Sequence, residues 1–324
     1  MLYGVFPGGV SFHAEKDIPP LNGKVIFVTG ANGSLKGNIG LGKQSILQLS
    51  KRNPKRIYLA ARSKEKALAA IQDIKATVPS APIEFVQCNL ADLSSVQAAA
   101  REFTSKEDRL DILILNAGVM GLPAGTTTNG YEIQFGTNHM GHALLTKLLM
   151  PTLLKTAKEP GADVRVVCLS SIGHISTSWN GIEFGQLRGE MKWYPSLVRY
   201  AQSKLANILF TRELARRYPS VTAVGVHPGV VDTELWRTVF SGWMGLGGLL
   251  NAGKRMFYTT VEGGSKNQLW GATARKGDGK GEVKSGEYYT PVGVPGNGSW
   301  QSQDMDLARK LWEWTEKELE GYKL

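Results

Sequence analysis

The sequence predicts an α/β fold in which one doubly wound, mostly parallel sheet carries helices on both faces. Apolar runs rich in Val and Ile alternate with segments of helical period from residue 24 to about 230, as in repeated strand-helix-strand units. No proline-rich linker and no long internal repeat interrupts the pattern. A chain of 324 residues can bury a core of this kind without disulfides, so we expect a single main domain.

The expected elements follow from those runs and from their turn residues. The predicted strands are Lys24–Thr29, Arg56–Ala61, Ile83–Cys88, Asp111–Asn116, Arg165–Ser170, Val221–His227 and a late Gly286–Thr290. The predicted helices are Leu41–Lys51, Lys64–Thr77, Ser94–Ser105, Asn138–Ala157, Tyr200–Tyr218 and a closing Met305–Leu319.

Outside this pattern lie an N-terminal strap, residues 1–20, and a substrate lid, residues 232–256, so that the main domain spans 21–324. The strap is rich in Gly and Pro and lacks the pattern of a secretory signal. Thr238–Gly253 is apolar but has only 16 residues and five glycines, which is short for a transmembrane span. Insertion into a bilayer surface is the alternative to a lid. We therefore expect a cytoplasmic protein, with peripheral membrane association as an open alternative.

Composition and charge limit the classes of molecule that the protein is expected to bind. Cys88 and Cys168 fall in apolar runs and are expected to be reduced core residues. Most of the net charge of +10 arises between Lys43 and Lys75, where nine basic residues face two acids. No nucleic-acid-binding pattern accompanies them, so we expect an electropositive rim around a phosphorylated cofactor, or a solvated helix surface, rather than a nucleic-acid site.

A glycine-rich turn joins the first strand to the first helix. The strand ends in Thr29-Gly30, and Asn38-Ile39-Gly40-Leu41-Gly42 opens the helix, where backbone amides can approach a pyrophosphate. The segment nearly matches a P-loop, but Gln44 follows Lys43 where magnesium binding needs Ser or Thr. The turn therefore favours a Rossmann-type dinucleotide site over a triphosphatase.

The strongest catalytic pattern is Tyr200-Ala201-Gln202-Ser203-Lys204, on a predicted helix 29 residues after Ser171. Four residues make about one helical turn, so the phenol and the ammonium share one face. A neighbouring cation can make tyrosine a proton donor and acceptor near neutral pH. By itself the pair could equally be a solvated helix face.

Together these motifs resemble the short-chain dehydrogenases/reductases, in the family's order over about 210 residues. The match requires six inserted residues, Asn32 to Gly37, which we expect to bulge outward. The longer interval from Ser171 to Tyr200 and the Trp-rich end resemble the retinol-dehydrogenase-like branch, including fungal enzymes of secondary metabolism. The other matching segments are Asn116-Ala117-Gly118, Asn138 in Thr-Asn-His-Met-Gly-His, Ser170-Ser171 and His227 to Thr233.

The resemblance implies a role for each matching residue. Tyr200 would be the general acid or base, Lys204 would lower its pKa and hold the nicotinamide ribose, Ser171 would donate to the substrate oxygen, and Asn138 would position a relay water. A helix cap is the alternative role for Asn138, and a turn residue is the alternative for Thr233. The implied cofactor-binding residues are Gly30, Asn38, Gly40, Leu41, Gly42, Arg62, Asn89, Leu90, Asn116, Ala117, Gly118, Tyr200, Lys204, Pro228, Val231 and Thr233.

Cofactor choice depends on the end of the second strand. No acid stands there to bind the ribose hydroxyls of NAD, and Arg62 can clamp a 2′-phosphate, so we expect NADP(H). Asn89 replaces the family's usual aspartate near the adenine, and its side-chain oxygen can still accept from the exocyclic amine.

We therefore expect an NADP-dependent oxidoreductase acting on a carbonyl or alcohol of an apolar or aromatic small molecule. The alternative is a catalytically idle dinucleotide-binding protein with a regulatory phosphate loop. His139 and His142 have helical spacing but no acidic ligand nearby, so we expect packing or substrate-edge histidines and no metal. Residues that could form an aromatic substrate pocket are Trp179, Trp193, Tyr194, Trp236, Phe240, Trp243 and Met244, although core packing explains some equally well.

Overall fold

The computed structural model describes residues 9–30, 40–229 and 259–324. The insertion Asn32 to Gly37, the lid 232–256, and the candidate residues Asn38, Val231 and Thr233 lie outside these ranges.

The described residues form one eight-stranded sheet in the order β3-β2-β1-β4-β5-β6-β7-β8. All neighbouring strands are parallel except β7 and β8, which pair antiparallel. This is the predicted doubly wound Rossmann-type sheet. The strands are β1 Val25–Thr29, β2 Arg56–Ala61, β3 Ile83–Gln87, β4 Ile112–Leu115, β5 Arg165–Leu169, β6 Thr222–Val226, β7 Tyr288–Thr290 and β8 Val294–Pro295.

Helices cover both faces of the sheet, as their apolar spacing predicts. Those described are α1 Ala14–Asp17, α2 Leu41–Ser50, α3 Lys64–Thr77, α4 Leu93–Lys106, α5 Ile133–Phe135, α6 Gly141–Ala157, α7 Ser196–Arg217, α8 Val261–Thr273, α9 Trp300–Gln303 and α10 Met305–Glu318. One hydrophobic core lies beneath α4, α6, α7 and α10, and a second lies beneath α2, α3 and α8. Strands sandwiched this way are buried on both faces, which explains their continuous Val and Ile runs.

Two predicted helix boundaries need correction, and one helix was not predicted. The helix predicted to begin at Asn138 begins as an α-helix only at Gly141, because a π-helical turn, Gly136–Met140, joins α5 to α6. The helix predicted to begin at Tyr200 begins four residues earlier, at Ser196. Helix α8 was not predicted, since its three glycines and Thr273 are weak helix formers.

The described part of the N-terminal segment packs against the far edge of the sheet. The Val10 amide donates to the Val292 carbonyl at 2.9 Å, and Phe12 and Ile18 are buried. Residues Ala14–Asp17 form one helical turn rather than extended chain. Among the described helices, none combines the length and the apolar character that crossing a membrane requires.

Candidate active site

The site lies where β1, β4, β5 and β6 end, because the carboxyl ends of parallel strands meet at one edge of the sheet. The turn after β4 joins the turn after β1 through three hydrogen bonds. Asn116 Nδ2 donates to the carbonyls of Thr29 at 2.8 Å and Gly30 at 3.2 Å. The Ala117 amide donates to Thr29 Oγ1 at 3.1 Å. The two glycine-bearing turns therefore form one surface.

Two glycines shape that surface. Gly30 has φ +70°, and a Cβ there would lie 2.6 Å from the Ala117 Cα, so a side chain would collide with backbone. At Gly118 a Cβ would lie 3.4 Å from Lys204 Nζ and 3.2 Å from Asn138 Oδ1. The missing side chains therefore let the turn after β1 pack directly on Ala117 and let Gly118 lie next to Asn138 and the lysine ammonium.

Ser171 and Tyr200 meet through their hydroxyl groups. Ser171 follows β5 and begins a short 3₁₀ turn, where its Oγ accepts the Gly173 amide at 3.1 Å. The Ser171 side chain is hydrogen-bonded to the Tyr200 hydroxyl, which lowers the pKa of Tyr200, while burial raises it more strongly, to about 12. Ser170 is not part of this pair, because its hydroxyl donates to the Lys204 carbonyl at 2.7 Å.

Lys204 lies one turn along α7 from Tyr200. Its Nζ donates to the Leu169 carbonyl at 3.0 Å and is 5.8 Å from the centre of the Tyr200 ring. Burial lowers the pKa of Lys204 to about 8. The expected lowering of the Tyr200 pKa by Lys204 is therefore not observed: burial of the phenol dominates, and Ser171 supplies the opposing interaction.

Asn138 lies in the π-helical turn, fully buried, with its amide engaged. Its Oδ1 accepts the Val119 amide at 2.8 Å, and its Nδ2 donates to the Val119 carbonyl and to Ser203 Oγ, both at 2.9 Å. Because it lies inside a continuous helical run, it is not a helix cap. The side chain holds the segment after Gly118 in place. Since its amide is engaged in these bonds, the expected contact with a water would come from the main chain of this turn.

The remaining cofactor candidates flank this centre. Gly40 precedes α2, whose first turn contains Leu41 and Gly42, and Leu90 is buried where a Cβ on Gly141 would meet its carbonyl at 2.5 Å. Asn89 Oδ1 accepts the Ala91 amide at 3.2 Å, so one of its two acceptor positions is occupied. Pro228 follows β6 and is partly exposed.

Arg62 is exposed after β2, and no hydrogen bond or ion pair of its side chain occurs within the described ranges. The predicted electropositive rim carries less unpaired positive charge than the number of basic residues between 43 and 75 suggests. Several basic residues between 43 and 75 pair with acids instead, as Lys43 with Asp73, Lys51 with Glu15, and Lys55 and Arg56 with Glu107. Unpaired positive charge is thus concentrated near Arg62, at the carboxyl end of β2.

Two polar side chains near the site were missed in the sequence. His174 Nδ1 donates to the Ser171 carbonyl at 2.7 Å and its Nε2 accepts the Ser299 amide at 3.0 Å, so it joins Ser171 to the segment before α9. Tyr288 stacks edge-on against His174 at 5.2 Å, and burial raises its pKa. No sequence motif marks these two residues, because only the fold brings them together beside the site.

His139 and His142 are both buried, and burial lowers the pKa of each to about 3. Among residues 9–30, 40–229 and 259–324, no group of three or more His, Cys, Asp or Glu side chains could hold a metal ion. Of the expected pocket aromatics, Trp179 and Trp193 are 83% and 88% exposed, and Tyr194 is partly buried. Trp236, Phe240, Trp243 and Met244 lie outside the described residues.

Comparison with known proteins supports the same assignment of the fold. Residues 24–179 match the family model described as short chain dehydrogenase. The chain is 36% identical over 315 residues to the short-chain dehydrogenase/reductase drtF of Aspergillus calidoustus, covering 93% of this chain and 95% of that protein. It is 36% identical to retinol dehydrogenase 13 of Mus musculus, covering 90% and 82%. A solved structure of a putative uncharacterized protein from Mycobacterium paratuberculosis superposes with a TM-score of 0.71, at 28% identity, covering 96% and 98%.

Proposed function

This chain belongs to the short-chain dehydrogenases/reductases and is similar to retinol dehydrogenases and fungal members of that family, so we propose that it is an NADP(H)-dependent oxidoreductase that acts on a carbonyl or alcohol. The observation that carries the proposal is that the Ser171 side chain acts on the buried Tyr200 hydroxyl and lowers its pKa, with Lys204 one turn away. Two hydroxyl groups converge there on the position that one substrate oxygen would occupy.

The residues present fit a nicotinamide dinucleotide. The turns at Gly30 and Gly118 leave backbone surface open, and Lys204 uses one of its three donors on the Leu169 carbonyl. When bound, the nicotinamide supplies or accepts the hydride. The expected cofactor contacts at Asn38, Val231 and Thr233 remain part of this proposal.

The protein supplies the proton and holds the reacting oxygen. In reduction, Tyr200 Oη donates its proton to the carbonyl oxygen as that oxygen gains negative charge, and Ser171 donates a hydrogen bond to the same oxygen. In oxidation, Tyr200 acts as its phenolate and accepts the alcohol proton, which regenerates the phenol. Lys204 lies one helical turn from Tyr200, with its Nζ 5.8 Å from the ring centre, where it would hold the nicotinamide ribose, while Ser171 is the group that favours the phenolate.

The NADP(H) preference rests on Arg62. Its guanidinium is exposed after β2, without a protein partner in the described residues, and no acid at the end of β2 competes for the ribose. The substrate proposal is an apolar or aromatic molecule, supported by the named relative retinol dehydrogenase 13 and by the aromatic residues that the sequence carries after Ser171. A place in secondary metabolism is proposed from the likeness to fungal members of the family.

Fluorescence titration with NADPH and NADH, followed by a screen of aromatic and long-chain aldehydes and ketones, tests this proposal. NADPH should bind more tightly than NADH, and at least one carbonyl should be reduced. Arg62→Ala should weaken NADPH by about 1.5–3 kcal/mol, the worth of a charge-assisted hydrogen bond, and leave NADH unchanged. Lys75→Ala, farther along α3, is the matched loss of one charge and should have little effect.

Equal affinity of the parent protein for both cofactors would contradict the NADP(H) preference. Tight NADPH binding without turnover of any carbonyl or alcohol would instead favour the idle dinucleotide-binding protein, with the insertion Asn32 to Gly37 as its regulatory loop.

A further inference from the structure

His142 lies at the start of α6 and is 1% exposed. Its ring contacts two segments of the site at once. Nδ1 is 3.0 Å from the main-chain oxygen of Asn138, and Nε2 is 2.9 Å from Thr29 Oγ1. The first contact belongs to the π-helical turn beside Lys204, and the second belongs to the end of β1, directly before Gly30.

The chemistry of these groups fixes the direction of each hydrogen bond. A carbonyl oxygen only accepts, so Nδ1 carries the proton and Nε2 is an acceptor. Nε2 therefore accepts a hydrogen bond from the Thr29 hydroxyl. The oxygen of that hydroxyl in turn accepts the Ala117 amide at 3.1 Å. The result is one directed chain from the Ala117 amide through Thr29 and His142 to the Asn138 carbonyl. Such buried chains polarise each bond and resist rearrangement.

The chain joins the parts of the site that must be aligned for reaction. Ala117 precedes Gly118, which approaches Lys204 Nζ, and the Asn138 side chain holds Val119 on the other side of that glycine. Thr29 precedes the turn that a dinucleotide pyrophosphate would meet. A shift of the imidazole would change the spacing between the dinucleotide turn and the catalytic face of α7.

We propose that His142 is a positioning residue for hydride transfer, which sets the turn after β1 against the Asn138 turn and so aligns the nicotinamide with Tyr200 and Lys204. This inference rests on the proposed oxidoreductase function and adds a residue to it. The imidazole acts through Thr29 and Asn138 and does not touch the substrate.

The imidazole remains neutral in its working range. Burial lowers the pKa of His142 to about 3, the bond to Asn138 opposes this, and the charges of Lys204 and His139 reinforce it. The Nδ1–H form is thus present at any pH at which the protein is assayed. The effect of losing the imidazole should therefore not vary with pH between 6 and 9.

His139 provides a matched control on the same helical run. It is equally buried, and burial also lowers its pKa to about 3, but its Nε2 contacts Thr315 Oγ1 in α10, at 3.1 Å, rather than the cofactor side. His142→Asn and His139→Asn thus remove comparable buried imidazoles that contact different elements. Thr29→Val and Thr29→Ser, which remove and keep the hydroxyl, test the chain from its other end.

Single-turnover hydride transfer, thermal unfolding and NADPH titration are measured for all four variants. His142→Asn and Thr29→Val should each slow transfer by about tenfold or more, as misplacement of reacting groups does, while NADPH affinity changes by less than about threefold. His139→Asn should lose comparable thermal stability yet stay within about twofold of the parent rate, as should Thr29→Ser. The double variant of His142→Asn and Thr29→Val should be no slower than the slower single variant, because both break one chain.

Hydrogen exchange of the cofactor-free protein gives a readout that does not depend on turnover. Amides 117 and 119 should lose protection in His142→Asn and keep it in His139→Asn. A parent-like rate for His142→Asn, or slowing equal to that of His139→Asn at matched stability, would assign His142 to packing and overturn the proposal. If His142→Asn does not fold, Thr29→Val decides, and an unchanged rate there overturns it.

A parent protein that reduces no carbonyl would contradict the proposed function instead. In that case the exchange experiment alone decides the link, and unchanged protection of amides 117 and 119 in His142→Asn would overturn it.

Discussion

At the scale of single residues, Tyr200 and Lys204 are each moved by burial toward their neutral forms. Burial raises the pKa of the phenol to about 12 and lowers that of the ammonium to about 8. The hydrogen bond with Ser171 is the protein's own counterweight, since it favours the phenolate. Burial therefore makes the charged form of each group costly, and Ser171 offsets part of that cost at Tyr200.

Removal of the Tyr200 hydroxyl should abolish most proton transfer without emptying the site. Tyr200→Phe keeps the buried ring, so we expect turnover to fall at least about a hundredfold while NADPH still binds. Steady-state turnover and NADPH titration measure the two effects. Tyr58→Phe, whose hydroxyl contacts Glu107 in the core at 3.3 Å, is the control and should retain turnover. Near-parental turnover of Tyr200→Phe, with chemistry rate-limiting, would assign the proton to another group.

The lowered pKa of Lys204 predicts how stability depends on pH. Between pH 8 and 10.5 the unfolded chain holds a proton that the folded chain releases, so this group makes the free energy of unfolding rise with pH in that window. Below pH 8 the folded protein carries a buried charge at a cost of about 3 kcal/mol, at about 1.4 kcal/mol per pH unit. Loss of the bond to Leu169 would offset part of any gain from removing it.

Lys204→Met should therefore raise the free energy of unfolding at pH 7 and lose that advantage by pH 10, although it inactivates the enzyme. Urea unfolding of the cofactor-free protein at pH 7, 8, 9 and 10 measures the difference. Lys64→Met, at an exposed position of α3, should show no such trend. A Lys204→Met advantage that is absent at pH 7, or independent of pH, would contradict a buried charged lysine.

At the scale of elements, the site depends on two turns that approach closely enough to exclude side chains. Gly30→Ala would place a methyl group 2.6 Å from the Ala117 Cα, in addition to the strain of φ +70°. Left-handed strain alone costs an L-residue about 1–2 kcal/mol, and backbone displacement adds to it. We expect Gly30→Ala to lose more than about 2 kcal/mol of unfolding free energy and to lose NADPH binding.

Gly23→Ala separates strain from contact. Gly23 has φ +75° and no atom within 4 Å of a Cβ, so this variant should lose only the strain energy and keep NADPH affinity. Chemical denaturation and NADPH titration of both variants make the comparison. Equal losses in the two variants would show that the approach of the turns does not matter.

The same elements show what the sequence could and could not predict. Strands and most helices followed from apolar period, because parallel strands buried on both faces leave an unmistakable Val and Ile signal. The face shared by Tyr200 and Lys204 followed from helical spacing. The π-helical turn at Asn138 did not, since one extra residue in a helix has no local signature, and the chain through His142 depends on residues 113 positions apart. The pKa of Tyr200 also required the fold, because burial decides it.

At the scale of the whole molecule, the closing helix α10 supports α7 from the side away from the cofactor turns. Trp312 stacks on Phe210 at 5.3 Å, and Arg217 lies over the Trp312 ring at 5.0 Å. On the same helix, Thr315 meets His139. Because α7 carries both Tyr200 and Lys204, α10 stabilises the element that holds the two proposed catalytic residues.

Trp312→Ala should therefore destabilise the protein without slowing its chemistry. Trp312 is 8% exposed, and truncation of a buried Trp costs about 3–5 kcal/mol. Its contact Phe210 lies ten residues beyond Tyr200, about 15 Å along the helix, so turnover at a temperature where the variant remains folded should match the parent. Trp193→Ala, which removes a ring that is 88% exposed, is the control and should change stability by less than about 0.5 kcal/mol. Thermal unfolding and turnover at 15 °C separate the two effects: a folded Trp312→Ala with impaired turnover would show that α10 acts on the geometry of Tyr200 and Lys204 and not on stability alone.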